Sequence, residues 1–240
     1  MTTLFTTLVV LALAGPLADD PPATRDAFQA DPSWKSLGKD IWFDPKAKKV
    51  VIRARVVLQD GILELFLCKK NSKEHESILS TEAPAQMIQA GLLLTGASPG
   101  HPVRFQPKFE PPTGSAIAIE VEWVQAGQTR KADAREWVKD LGTNKSMARD
   151  WVFAGSELFE DPRTKTMIFA ADDGDLITVA NFPASILDLP YRSSANDADR
   201  GYAADPKKVP PQGTPVIVYL SPRPSSAPKE LPKTKPDPAR

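Results

Sequence analysis

Apolar and polar positions alternate through much of the middle of the chain, which predicts strands more than helices. IWFD (41–44) and KKVVIRARVVLQ (48–59) flank a DPKA turn, and ILELFLC (62–68) follows Asp60-Gly61. Asp-Gly between two alternating runs predicts a two-residue hairpin, because both turn positions need positive φ. That register sets Leu58 against Leu63, Val56 against Leu65 and Ala54 against Leu67 on one apolar face. The other face carries Arg53, Arg55 and Val57 against Cys68, Phe66 and Glu64, so Cys68 is expected opposite Arg53.

After a polar loop, KKNSKEHES, a helix is expected to open at Thr81 or Glu82. Pro84, Met87, Ile88, Gly91 and Leu92 form its apolar stripe, and Gly96 and Pro99 end it. A Pro/Gly loop, TGASPGHPVRFQPKFEPPTGS, separates it from the strand SAIAIEVEWVQ, with Ile117, Ile119, Val121 and Trp123 on one face. KADAREWVKDLG spaces Ala134, Trp137, Val138 and Leu141 as a second, short helix. WVFAGSELF, TMIFAADDGDLITVAN (folded at Asp173-Gly174) and PVIVYL complete the predicted strands. The fold class expected is α+β: a single domain over residues 37–222, a mostly antiparallel sheet with about two helices.

The ends differ from this pattern. Leu4 to Ala14 is an uncharged apolar run closed by Gly15 and Pro16, so residues 1–18 read as a secretory signal peptide. Residues 19–36 read as a polar, Pro-rich spacer and 223–240 as a disordered Pro-rich tail. The 24 prolines in 240 residues concentrate in these ends and in a few loops. Export to the periplasm or beyond is therefore expected, with an envelope protein among the expected partners. The apolar run is shorter than the roughly 20 residues that span a bilayer, and no second long run follows, so an integral membrane protein is not expected.

Charge and cysteine content narrow the classes. Thirty Lys plus Arg balance thirty Asp plus Glu, leaving no basic excess to hold nucleic acid. One cysteine excludes an internal disulfide, so stability must come from a buried core.

Chemistry concentrates in CKKNSKEHESIL, which holds the single cysteine and one of two histidines. Three readings stay open. His75, Glu76 and Cys68 have the donor types of a divalent metal site. Arg53 and Arg55 beside Cys68 would lower its pKa, with His75 as base, for thiol chemistry. Or the stretch is a solvated loop whose His75 packs or caps. Ser156 in FAGSELF lacks the G-x-S-x-G spacing of a nucleophile elbow, although a His75–Ser156–Asp188 set can be drawn. Asp172 to Asp175 does not match a calcium loop, and Arg192 offers a contact for an anion.

GILELFLCKKNSKEHESIL, APAQMIQAGLLLTGA, AIEVEW, AREWV, DWVFAGS and ADDGDLITVANFPASILDLP, in this order, resemble the YdjY-like domain of bacterial exported proteins over about residues 45–195. The resemblance rests most on Cys68 followed by His75-Glu76, and extends to Gly155-Ser156 and Asp188. The family has no established activity, so what it implies is a location and a domain type. The function expected is a domain binding a ligand, metal or protein at the 68–79 loop through Cys68, His75 and Glu76, with Arg53 nearby. The rivals are a thiol- or metal-dependent enzyme using the same residues, and a structural envelope protein.

Overall fold

The structure, a computed structural model, describes residues 28–194 and 201–224. The predicted signal peptide and most of the predicted tail lie outside the described residues. The strands in chain order are β1 (Lys35–Gly38), β2 (Ile41–Asp44), β3 (Lys49–Val56), β4 (Gly61–Ile62), β5 (Leu65–Lys69) and β6 (Ser77–Thr81). Helix α1 (Ala85–Leu94) follows, then β7 (Ala116–Gln125), β8 (Gln128–Asp133), β9 (Val138–Asp140), β10 (Lys145–Ser146) and β11 (Trp151–Phe153). The rest are β12 (Leu158–Glu160), β13 (Met167–Phe169), β14 (Asp175–Thr178), β15 (Leu187–Asp188), β16 (Tyr202–Ala204) and β17 (Pro215–Pro222).

Eight of these strands close on themselves. The ring runs β3, β17, β7, β11, β15, β14, β5, β6, and β6 pairs back to β3. Within it β14–β15 and β5–β6 are parallel, while β3, β17 and β7 form an antiparallel wall. The wall shows why the sequence folds this way. Val50, Ile52 and Ala54 of β3 sit opposite Leu220, Val218 and Val216 of β17, and those face Ile119, Val121 and Trp123 of β7. Strict alternation sends this set inward, and an eight-stranded barrel has an interior that side chains fill. These residues join one core with Phe66, Leu67, Ile78, Leu79, Trp151 and Phe153. β1, β2 and β8 extend the wall beyond the ring, and β10, β9, β16 and β4 form a second sheet.

The barrel overturns the expected α+β sheet with two helices. Among the described residues α1 is the one α-helix. Over 131–142 the predicted second helix is instead the end of β8, a single 3-10 turn (Ala134–Glu136) and β9. The Asp133 side chain accepts from Arg135 N–H at 3.0 Å, and Val138 then leaves the helical path to pair with Ala204. Ala134, Trp137 and Val138 are all buried, so helical spacing arose from a turn that buries both of its flanks.

The Asp60-Gly61 hairpin is also absent. β6 lies between β3 and β5: Arg55 sits opposite Ser80, and Ser80 opposite Cys68. Gly61 does take positive φ (146°), but its short strand pairs with β16. β5 instead pairs β14 on its other side. Asp173-Gly174 is likewise no hairpin; it ends a 3-10 turn (Ala170–Asp173), and β13 pairs with β12. At Gly174 (φ 121°) a Cβ would run into the Ser72 side chain.

Helix α1 keeps part of its predicted stripe: Ile88, Gly91 and Leu92 are buried with Ala85, while Met87 is half-buried and Pro84 exposed. It starts at Ala85, not at Thr81 or Glu82, because Thr81 ends β6 and Pro84 is extended (φ −64°, ψ 131°). It stops where Gly96 takes φ 88°, with Gly96 N–H donating to Leu93 O and Ala97 N–H to Leu92 O. Outside the barrel, Phe28 and Trp34, within the stretch read as a spacer, stack on each other, and Phe28 tilts against Trp42 while Trp34 meets Tyr219 edge-on. No helix of the described residues is long and apolar enough to cross a membrane.

Candidate functional site

Cys68 ends the buried part of β5 and is fully buried. Its thiol lies against the Ser77 and Ser72 hydroxyls and the Lys73 backbone, so its own loop covers it. Burial pushes the thiol pKa up, and the neighbouring Ser77 and Ser72 hydroxyls, which donate to Leu79 O and Lys69 O, only partly offset this. The arginine-lowered pKa expected from the hairpin register does not arise, because β6 separates Cys68 from β3.

The covering loop is tightly tied. Lys69 pairs with Asp172 (3.2 Å), Lys73 with Asp175 (2.6 Å), and Asn71 N–H donates to Glu74 Oε1 (2.6 Å). The Lys73 ammonium also sits 4.5 Å from the Phe182 ring centre. His75 occupies the 3-10 turn Glu74–Glu76 with its side chain 77% exposed, its Nε2 3.5 Å from Glu76 Oε1. The structure therefore does not bring Cys68 and His75 together: one is sealed under the loop and the other points to solvent. Among the described residues no three His, Cys, Asp or Glu side chains gather as a metal site.

Ser156 is not in a strand. It sits in the break between β11 and β12, after Gly155 at φ 80°, where a Cβ would come within 3.0 Å of Pro99 Cβ. Its Oγ accepts from Ala171 N–H (3.0 Å), while its backbone exchanges bonds with the Gln89 amide (2.7 and 3.1 Å). It joins α1 to the 170–173 turn. His101 is turned onto the Pro102 carbonyl, and Arg192 stacks over Phe109 at 3.9 Å.

Asp188 is fully buried on β15. Its Oδ1 accepts from Thr178 Oγ1 (3.1 Å), Asn181 Nδ2 (3.0 Å) and Leu189 N–H (2.7 Å). Its Oδ2 has no hydrogen-bond partner among the described residues. Burial raises Asp188 to about 7 against the pull of Asn181, Leu189 and Thr178. Asp188, Ser156 and His75 thus occupy three separate places.

Arg53 leads elsewhere. On the outer side of the β3–β6 seam lies a polar cleft of about 150 Å³, lined by Asp40, Arg53, Ala54, Arg55, Lys70, Ser80, Thr81 and Glu82. Strand order places its walls: β2's entry turn and β3 on one flank, β6 and the end of β5 on the other. Arg53 Nη2 pairs with Asp40 Oδ1 at 2.7 Å on the first flank. Lys70 Nζ pairs with Glu82 Oε1 at 2.9 Å on the second, and Lys39 holds Glu82's other oxygen. The two lysines hold the Glu82 carboxyl down at about 2. Thr81 Oγ1 ties the floor, donating to Arg53 O (2.7 Å) and accepting from Ala83 N–H (3.1 Å). Arg55 reaches the Gly213 carbonyl. Asp40 stands at φ 58°, in a turn, and only the register of β6, a strand that the expected β3–β5 hairpin leaves out, brings Lys70 and Glu82 to Arg53.

An eight-stranded closed barrel with a charged cleft on its outer seam defines the class of protein. The model of the YdjY domain family matches residues 41–221, and the chain belongs to that family. No curated protein and no solved structure matches it.

Proposed function

We propose that the chain is an exported binding domain that takes a small polar ligand in the cleft between β3 and β6, beside the 68–79 loop. The cleft carries this reading: two ion pairs and Arg55 surround a space of about 150 Å³, room for roughly five waters at about 30 Å³ each. The burial of Cys68 and the outward His75 support binding over thiol or metal chemistry at the loop. Export rests on the apolar run from Leu4 to Ala14.

A thermal-shift screen of the purified protein against small carboxylates, amines and amino acids tests the reading. A ligand at about ten times its Kd adds about 1.4 kcal/mol of apparent stability. Compounds that raise the midpoint of the wild type should fail to do so in Arg55→Tyr, which removes a cleft cation at an exposed strand position. An equal response in that variant, or no response to any compound, would overturn the proposal.

A further inference from the structure

We propose that the ligand of this cleft is a small zwitterion, one carboxylate and one ammonium a few ångströms apart, as in a free amino acid. The inference rests on the binding reading and adds the ligand's charge pattern. The lining carries both signs on both flanks: Arg53 with Asp40 on one side, Lys70 with Glu82 on the other. A simple anion entering between them meets two carboxylates, and a simple cation meets three basic groups. The three basic groups outnumber the two carboxylates, so a cation is repelled, and an anion that pairs with the basic groups leaves the carboxylates without their partners, all within the screening length of about 10 Å in ordinary salt. A zwitterion meets an opposite charge at each end.

The flanks are not equivalent, which gives the cleft a direction. Glu82 is held between Lys39 and Lys70, so two cations surround one carboxylate there. Arg55, on the β3 flank opposite Ser80, adds a further basic group to the lining. The end between Lys39 and Lys70 suits the carboxylate of a ligand. On the other flank Asp40 is the acidic group, its side chain 11% exposed, and it suits the ammonium. The resident pairs are partly open to solvent, at 34% for Arg53 and 52% for Lys70. The Lys70–Glu82 pair, exposed on both sides, contributes little on its own, so exchanging one partner there for a ligand group is not costly. Ser80 supplies a hydroxyl on the floor.

The test is an NMR titration of the ¹⁵N-labelled full chain with glycine, acetate and methylammonium in parallel. Glycine should shift the backbone amides of Arg55, Lys70, Ser80 and Thr81 at a concentration about tenfold below either single-charge fragment. Asp40→Asn, a residue type that tolerates positive φ, should weaken glycine about tenfold without weakening acetate. Lys70→Gln should weaken glycine and acetate alike. If acetate matches glycine in the wild type, the zwitterion is overturned and the cleft survives as an anion site. If none of the three moves a cleft amide, the zwitterion is again overturned, and the thermal-shift screen decides separately whether the cleft binds anything.

Discussion

Asp188 buries an oxygen that finds no hydrogen-bond partner among the described residues, and burial raises its pKa, so its protonation is linked to stability. Its folded pKa, about 7, lies above the ordinary 3.8, so the folded chain binds more protons than the unfolded chain between those values. By linkage, the Asp188 contribution is most favourable below about pH 4, declines as pH rises towards 7, and levels off above it. Asp188→Asn should flatten that decline: urea midpoints at about pH 5 and about pH 8 should lie closer together in the variant than in the wild type. An undiminished difference would remove Asp188 as its source. Cys68 yields a second expectation at this scale. A sealed thiol reacts only when its surroundings open, so Ellman's reagent should label the native protein slowly and the urea-unfolded protein at once. Rapid labelling of the native protein would show that the 70–77 loop does not protect it.

At the scale of elements, α1 meets β3 through a glycine. A Cβ at Gly91 would come within 2.9 Å of Val50 Cγ2 and 3.1 Å of Leu37 Cδ1. Alanine gains about 1 kcal/mol of helix propensity, but Val50 is branched and stiff, and overpacking costs about 1–3 kcal/mol. Gly91→Ala should therefore lose about 1 kcal/mol in chemical denaturation, and in a Val50→Ala background the same change should stabilise. The helix stripe was legible because a single face is buried. β7 and β17 were legible for the corresponding reason: one face inward, one outward, period two. β6 was not. Its five residues, SILST, are all buried, so nothing alternates, and their two serines and threonine resemble a loop. With β6 unread, β5 had β3 as its natural partner, and Asp-Gly offered a turn to join them. The site followed the same division. Arg53 and Arg55 stood out on an alternating strand, whereas Asp40, Lys70 and Glu82 sit in turns and strand ends. Pairing alone brings those three together.

At the scale of the whole molecule, closure depends on a strand near the C-terminus. β17 pairs along nearly its full length with β3 on one side and β7 on the other. Removing residues 215–240 takes away the centre of the antiparallel wall and exposes the inward faces of both neighbours. A chain ending at residue 214 should show no cooperative unfolding transition by circular dichroism, while one ending at 224 should keep the midpoint of the full chain. A sharp transition in the shorter chain would mean that β3 and β7 can close without β17. The position of this strand also sets a schedule. At about 5–20 residues per second, synthesis takes roughly ten to forty seconds to reach position 215. Throughout that time β3 and β7 each lack the neighbour between them, and open strand edges template association with other chains. The antiparallel wall can therefore close only after β17, the last strand of the described residues, has been made, and until then its two neighbours keep open edges.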